Sequence, residues 1–288
     1  MPLVSIYQAL KRAQTEHYAI PLFDVFDSNS IDGIFAAMEL KQAPVIVALY
    51  TGVLDQPNAR SLTDYIRRRA SESPTPAALM LDHGRNFEHA MKALTWGFTD
   101  VMYDGSQLPF EENITNTRKI VDAAHAVGVY VEAELGHVGH GSEYATFGGQ
   151  GKGFTDPGLV EKFVSQTGIN FLAVAIGNAH GLYHGEPHLD IELLKEIRKR
   201  TDIPLVLHGG TGISEEQFKS AIVAGISKIN IATDLYVTAA KRLTEWLVNP
   251  GGKPDGFAYG TLCATAFEAF RERGCYYIEL FGAAGKAK

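Results

Sequence analysis

The chain has 288 residues, 45% hydrophobic and 20% charged, which is enough for a large buried core in a single domain spanning residues 1–288. Its formal net charge of −7 and the lack of a lysine or arginine run argue against nucleic acid or an anionic membrane surface as a partner. Two cysteines are too few for a disulfide framework and fit a reducing compartment, so we expect a cytoplasmic protein.

The first predicted element is a helix over residues 3–16, whose apolar residues recur at helical spacing without the continuous apolar core of a signal peptide. Eight short apolar runs follow, each with a polar residue at or near its end and a helix-like segment after it. They span residues 17–26, 44–52, 77–84, 100–106, 129–136, 170–177, 204–210 and 228–234. Runs of this kind are typical of strands buried on both faces of a parallel sheet, and none is long enough to cross a membrane.

The segments between the runs carry helix-end signals. One opens at Pro109 with two acidic residues and closes at Gly128, and another opens at Ser214, with Gln217 three residues later as in a capping box. Eight strand–helix alternations predict an α/β fold, the (β/α)₈ TIM barrel, with the extra N-terminal helix closing its bottom. A doubly wound open sheet is the alternative, but eight regular units favour closure.

Polar residues are concentrated at the carboxyl ends of the predicted strands, where barrel enzymes place their active sites. They are Asp24, Tyr50, Asp82, His83, Asp104, Glu134, His208 and the stretch 230–234, with His180 just beyond the sixth strand. A capped strand end or a solvated loop would explain any one of them, but not the repetition. Three imidazoles, from His83, His180 and His208, are what a catalytic Zn²⁺ site with an open position needs. Asp104 and Glu134 are candidates to orient these ligands or to hold a second metal position.

Two short stretches come at the ends of the last two predicted runs, the glycine-rich "HGGTG" (208–212) and "NIATDL" (230–235). In many barrels these two loops bind phosphate, because glycines let backbone N–H groups approach an anion and the next helix adds its positive N-terminus. The pattern predicts a phosphate site beside the candidate metal ligands.

Six motifs, "LDHGRN", "MYDGS", "VEAELG", "AIGNAHG", "LVLHGGTGI" and "KINIATDL", occur in the order and spacing of the class II, metal-dependent ketose-bisphosphate aldolases. The chain resembles this family, which includes fructose- and tagatose-bisphosphate aldolases, over essentially its whole length. It is most similar to a branch with broader ketose-phosphate substrates. The resemblance implies a homo-oligomer, a dimer or tetramer, that acts on a sugar phosphate.

The resemblance also implies roles for individual residues. His83, His180 and His208 resemble the ligands of one Zn²⁺ ion that stabilises the enediolate of dihydroxyacetone phosphate, and Glu134 and Asp104 match acidic positions associated with the metal. Asp82 resembles the acid/base that handles the C4 hydroxyl proton. Gly181, Gly209, Thr211, Asn230 and Thr233 match positions that bind the C1 phosphate, with a monovalent cation, Na⁺ or K⁺, nearby.

Two departures from the family pattern concern the rest of the substrate. The family's asparagines after the first strand are replaced by Asp24 and Asp27, and Tyr50 stands where a small hydroxyl residue is expected. Because carboxylates repel a phosphate dianion, we hypothesise that the aldehyde half carries no phosphate and is a neutral polyol; the alternative is that an arginine pairs with these acids. In the glycine-rich loop after the fifth strand, Glu143 is the candidate base for the C3 proton, or else a solvated loop residue on a closing lid.

A Schiff-base aldolase would need a lysine near the strand tops, and no lysine is expected there, since Lys228 starts the eighth predicted run and Lys152 lies in a loop. The leading interpretation is therefore a zinc-dependent lyase that reversibly cleaves a ketose 1-phosphate to dihydroxyacetone phosphate and an aldehyde. A tagatose- or fructose-1,6-bisphosphate aldolase, an aldolase for a deoxy-keto-sugar-acid phosphate, and a non-catalytic sugar-phosphate-binding barrel remain alternatives.

Overall fold

The structure, a computed structural model, describes residues 3–248 and 257–287. Eight parallel strands pair in chain order, and the eighth pairs with the first to close a barrel. The strands are β1 (Ile20–Asp24), β2 (Val45–Tyr50), β3 (Ala77–Gly84), β4 (Asp100–Tyr103), β5 (Tyr130–Leu135), β6 (Phe171–Val174), β7 (Leu205–Leu207) and β8 (Ile226–Ile231). With helices between the strands, this is the predicted (β/α)₈ TIM barrel.

The described residues form eleven α-helices around the barrel. They are α1 (Tyr7–Glu16), α2 (Ser28–Lys41), α3 (Thr51–Leu54), α4 (Ala59–Glu72), α5 (Phe87–Trp96), α6 (Phe110–Ala126), α7 (Pro157–Thr167), α8 (Ile191–Arg198), α9 (Glu215–Val223), α10 (Thr233–Val248) and α11 (Ala258–Leu280). Among them we find no helix with the length and apolar character of a membrane span.

The extra helix α1 closes the amino end of the barrel, as predicted. The segment before it bonds to two strands, through Val4 N–H to the Ala77 carbonyl at 3.0 Å and Ile6 N–H to the Asp100 carboxylate at 3.2 Å. Tyr7 then stacks on Tyr130, with ring centroids 4.7 Å apart. The amino end of the barrel is thereby covered.

The predicted starts of two helices are confirmed, with one difference in the capping contacts. Pro109 and Ser214 are the residues before α6 and α9, and the Ser214 hydroxyl accepts a bond from Gln217 N–H. The reciprocal half of the capping box is not formed, because the Gln217 side chain bonds Leu189 N–H and the Pro187 carbonyl instead. It therefore ties α9 to the loop after β6.

The prediction was wrong about the start of β8. The strand begins at Ile226, which pairs with Leu205, and the register shifts before Lys228 pairs with Val206. Lys228 therefore lies within the strand, and its side chain is fully buried. Polar residues in this stretch interrupt the apolar run, so the hydrophobic pattern did not indicate the first part of the strand.

Candidate active site

A cavity of about 860 Å³ opens at the carboxyl end of the barrel, and eight of the predicted polar positions line it. They are Asp24, Tyr50, Asp82, His83, Asp104, His180, His208 and Asn230. Glu134, on β5, is buried beside them and does not line the cavity. Each parallel strand thus delivers its last residues to one place.

The three predicted histidines converge in this cavity. The ring centroid of His83 lies 4.7 Å from those of both His180 and His208, and one nitrogen from each ring lies within 4.8 Å of the others. His83 reaches this position through a backbone φ of 48°, at an irregularity in the pairing of β3 with β4. Such strain in a non-glycine residue is typical of functional sites, where the surrounding structure holds it.

The imidazoles are oriented as metal ligands are. His83 Nδ1 bonds the Asp104 carboxylate at 2.8 Å and His208 Nε2 bonds Glu132 at 2.8 Å, which leaves His83 Nε2 and His208 Nδ1 facing each other at 2.9 Å. His180 Nε2 is buried without a hydrogen-bond partner. Carboxylates that hold the outer nitrogen of a ligating histidine, and an inward nitrogen with no protein partner, fit a Zn²⁺ ion. His83, Asp104 and Glu134 form a second group that could hold a metal.

The pKa values of the three histidines shift in different directions. Burial lowers the pKa of His83, but Asp82, Asp104 and Glu134 outweigh it and raise the value to about 10. Burial lowers the pKa of His180 and of His208, and the neighbouring His83 lowers both further. Positive charge is therefore favoured at the point between these rings, where a metal cation would replace the proton of His83.

Two acids around His83 shift in opposite directions. Burial raises the pKa of Glu134 to about 8, and the charge of Asp104 adds to this. Burial also raises the pKa of Asp104, but its hydrogen bonds with His83 and Ser106 outweigh that effect and lower the value. Asp104 is thus the ionised partner of His83, while Glu134 accepts Val138 N–H at 2.8 Å.

Asp82 lies beside the histidines with one oxygen held and one left available. Its Oδ1 accepts a bond from Asn230 Nδ2 at 2.9 Å, and its Oδ2 lies 3.9 Å from His83 Nε2. Asp82 is buried, so this second oxygen can exchange a proton only with a group inside the cavity. Its position suits general acid/base catalysis on a bound hydroxyl.

The loops after β6, β7 and β8 form one wall of the cavity from Gly181, Gly209, Gly210, Thr211 and Thr233. At Gly209, φ is 64° and an added Cβ would lie 2.1 Å from the Ala179 carbonyl oxygen, so only glycine fits. Thr233 starts α10, whose helix N-terminus favours an anion. The Asp234 carboxylate does not line the cavity. Arg273 and Tyr277 both donate hydrogen bonds to it, so its negative charge is paired away from this wall.

The whole chain matches known proteins with this geometry. The sequence profile of "Fructose-bisphosphate aldolase class-II" matches residues 4–286. A "Probable fructose-bisphosphate aldolase" from Bacillus subtilis (strain 168) is 38% identical over 290 residues, covering all of both chains. The "Uncharacterized protein YdjI" of Escherichia coli (strain K12) is 38% identical over 276 residues, 96% of each chain.

A solved structure agrees with these sequences. The YdjI aldolase from Escherichia coli K12 superimposes with a TM-score of 0.88 at 36% identity, covering 99% of this chain and 100% of that one. The chain belongs to the class II fructose-bisphosphate aldolase family. It is accordingly an aldolase, a lyase, and this cavity is its candidate active site.

The glycine-rich loop of this aldolase is anchored at its base. Gly141 N–H donates to the His180 carbonyl at 2.7 Å, and His180 N–H donates to the Gly139 carbonyl at 2.8 Å. Beyond this point Glu143 ends a single 3₁₀ turn, with its side chain exposed and not lining the cavity. His137 and His140 do line it. A catalytic role for Glu143 therefore requires the loop to move inward.

The residues predicted at the aldehyde end take different positions. Asp27 is the N-cap of α2, where its carboxylate accepts Ser30 N–H at 2.7 Å, and it does not line the cavity. Asp24 and Tyr50 do line it. Burial raises the pKa of Asp24 well above its usual range, and the neighbouring Asp82 raises it further, so the site opposes the charged form of this carboxyl.

Three charged residues that lie in or under this aldolase site were given no role in it by the sequence analysis, which placed Lys228 at the far end of a strand. Glu132 and Lys228 are fully buried on β5 and β8 and pair at 2.8 Å. Arg85 lines the cavity, where its guanidinium donates to the Tyr50 hydroxyl at 2.6 Å. The i, i+2 spacing of Glu132 with Glu134 and of Lys228 with Asn230 would have placed each pair on one face of its strand. No such signal indicates the direction of Arg85.

Proposed function

We propose that this class II aldolase is zinc-dependent and reversibly cleaves a ketose 1-phosphate to dihydroxyacetone phosphate and an aldehyde without a phosphate. The observation that carries the proposal is the convergence of three imidazoles beside Asp82, facing a glycine and threonine wall. His83, His180 and His208 would hold the metal. Bound Zn²⁺ would supply Lewis acidity to the carbonyl and hydroxyl oxygens of the substrate and stabilise the negative charge that develops when the C3–C4 bond breaks.

The reacting protons are assigned to two acids of the chain. Asp82 removes the C4 hydroxyl proton in cleavage and returns it in condensation, using the oxygen that Asn230 leaves available. We assign the C3 proton to Glu143, which the loop after β5 carries toward the cavity when it closes. Its exposure in the described conformation agrees with a base that acts only after substrate has bound.

We assign the C1 phosphate to the wall of Gly181, Gly209, Thr211, Asn230 and Thr233. Backbone amides at a loop and a helix N-terminus bind a dianion without a lysine or arginine, and a Na⁺ or K⁺ ion nearby would offset its remaining charge. The Asn230 side chain is already engaged by Asp82 and Lys228, and its backbone carbonyl accepts Gly210 N–H at 3.2 Å, so Asn230 contributes to the wall mainly by holding the loop that contains Gly210.

For the aldehyde half, the neutral polyol hypothesis now rests on Asp24 and Tyr50. Asp24 Oδ1 is buried without a hydrogen-bond partner, beside Asp82. The protonated form, which burial favours, can both donate to and accept from a sugar hydroxyl, and an unpartnered buried polar atom favours a ligand that bonds it. Repulsion of phosphate by Asp27 does not support the hypothesis, because Asp27 lies outside the cavity, and repulsion by Asp24 is weakened because burial opposes its charged form.

A bisphosphate substrate, such as fructose or tagatose 1,6-bisphosphate, is the second candidate, and Arg85 is the observation that favours it. Arg85 is the one arginine or lysine among the described residues that line the cavity. It follows β3, and β2 and β3 lie across the barrel from the loops after β6 and β7. A substrate whose first phosphate occupies those loops would extend its far end toward this guanidinium.

The deciding experiment compares fructose and tagatose 1-phosphates with their 1,6-bisphosphates, using zinc-loaded enzyme and detection of dihydroxyacetone phosphate. The proposal predicts that the 1-phosphates are cleaved at least as efficiently as the bisphosphates. A preference for bisphosphates of about 100-fold, or 2.7 kcal/mol, would replace it with the second candidate. Chelation should abolish cleavage and Zn²⁺ should restore it. The cytoplasmic location and the homo-oligomeric state remain predictions, and light scattering tests the latter.

A further inference from the structure

Lys228 lies under the active site, inside the barrel, and is fully buried. Its ammonium contacts two groups on different sides. It pairs with Glu132 Oε2 at 2.8 Å and donates to Asn230 Oδ1 at 2.8 Å. A buried lysine is costly unless its charge is paired and its N–H groups are bonded, so these contacts fix the position of its ammonium group.

On one side, the chain of contacts leads to a candidate zinc ligand. Glu132 Oε1 bonds His208 Nε2 at 2.8 Å, and both side chains are fully buried. A carboxylate at Nε2 accepts a hydrogen bond from Nε2–H and so keeps the proton on that nitrogen, which leaves Nδ1 of His208 with its lone pair toward His83 and the cavity. Because Lys228 holds the other oxygen of Glu132, it fixes the carboxylate in the orientation that this tautomer requires.

On the other side, the contacts lead to the acid/base. An amide that accepts a bond through its oxygen must present its NH₂ group elsewhere, so Lys228 determines which way the Asn230 side chain points. The Asn230 NH₂ group then donates to Asp82 Oδ1 at 2.9 Å. Without the lysine, the amide could rotate by 180° and present its oxygen to the Asp82 carboxylate, which would repel it.

We propose that Lys228 is a positioning residue that sets, through Glu132 and Asn230, the tautomer of His208 and the orientation of Asp82 together. The inference rests on the proposed function, since it assigns His208 to the metal and Asp82 to the C4 hydroxyl. The arrangement gives one buried cation control over both parts of the reaction. A buried ion pair is rarely the most stable way to fill a core, because apolar residues of similar volume fill it equally well or better.

The test uses a double variant, Lys228→Met with Glu132→Gln, which removes both charges and avoids an unpaired buried carboxylate. The matched control is Arg69→Met with Asp32→Asn, which removes an ion pair of 2.8 Å between α4 and α2, outside the barrel. ¹⁵N NMR of the histidines in zinc-free protein, Zn²⁺ affinity by chelator competition, and kcat and KM for the best ketose phosphate are measured on both. Thermal unfolding reports stability separately.

We expect zinc-free wild-type protein to carry the His208 proton on Nε2 and the Lys228 double variant to lose that preference. Its Zn²⁺ affinity should fall by about 10–100-fold, and kcat should fall with it, while the control matches wild type. Lowered thermal stability with unchanged tautomer, Zn²⁺ affinity and kcat would overturn the inference and leave Lys228 a structural residue. If wild-type protein neither binds Zn²⁺ nor cleaves any ketose phosphate, the proposed function fails, and the tautomer of His208 still decides whether Lys228 positions it.

Discussion

The two ends of the active-site cavity are made from different parts of the chain. The wall to which we assign the phosphate, after β6, β7 and β8, is mostly backbone, and at Gly209 it leaves no space for a Cβ. The aldehyde end, at β1 to β3, is made of the side chains of Asp24, Tyr50 and Arg85. A wall of backbone can change only if the loop refolds, whereas side chains change with single substitutions. We infer that the first end binds the part of the substrate common to the family and that the second selects the aldehyde.

The largest effect is expected where the two ends meet, at Asp82. Asp82→Asn keeps the shape and the bond from Asn230 but cannot take the C4 hydroxyl proton, so kcat should fall by about 10²–10⁴-fold for every substrate. Binding of dihydroxyacetone phosphate, measured by calorimetry, should be retained. If the variant lost binding of dihydroxyacetone phosphate and kept kcat, Asp82 would be a substrate-binding residue and not the acid/base.

Gly209→Ala tests the backbone end. Its Cβ would collide with the Ala179 carbonyl, so the loop must shift and kcat/KM should fall by about 100-fold for all 1-phosphates, whatever the aldehyde. Gly128→Ala is the matched control, since Gly128 also has a positive φ, of 78°, but an added Cβ there meets nothing within 4 Å. Should the loss depend strongly on the aldehyde, the phosphate would not be bound at this wall.

Arg85→Gln tests the side-chain end. The guanidinium is partly exposed, and an ion pair in such a position contributes about 1 kcal/mol, so kcat/KM for a 1,6-bisphosphate should fall by about five- to tenfold. The 1-phosphates should stay within about twofold because they place no charge there. Arg60→Gln, on the exposed face of α4, is the control. Equal losses of kcat/KM for both substrate types would mean that Arg85 does not bind a far phosphate. Its role would then be to hold the Tyr50 side chain in place.

The sequence predicted the barrel and most of its active-site positions because each buried strand ends in a polar residue that interrupts an apolar run. His83, His180 and His208 were found in this way. Glu132 was missed because it stands inside an apolar run, where a charge was taken as part of the strand, and Lys228 was placed at the start of a strand, away from the site, because the first part of β8 was not predicted. Asp27 is followed three residues later by Ser30, a capping pattern that would have placed it on α2. The direction of Arg85 depends on how Tyr50 packs beside it, which no local pattern encodes.

The smallest catalytic effect is expected for Asp24→Asn, together with a stability change that depends on pH. Because the pKa of Asp24 is raised in the folded state, the ionised unfolded chain is favoured as pH rises above its ordinary value of 3.8, and wild-type stability falls with it. Asparagine resembles the protonated carboxyl, so the variant should be more stable than wild type at pH 8 and nearly equal at pH 4.

Activity on 1-phosphates at pH 7 should change by less than about threefold, since a neutral amide still bonds a sugar hydroxyl. Thermal unfolding and cleavage at matched pH measure both effects. A stability difference that does not grow between pH 4 and pH 8, or a loss of activity as large as that of Asp82→Asn, would mean that Asp24 is ionised. The aldehyde end would then carry a charge that excludes phosphate, which would restore the original reason for expecting an aldehyde without one.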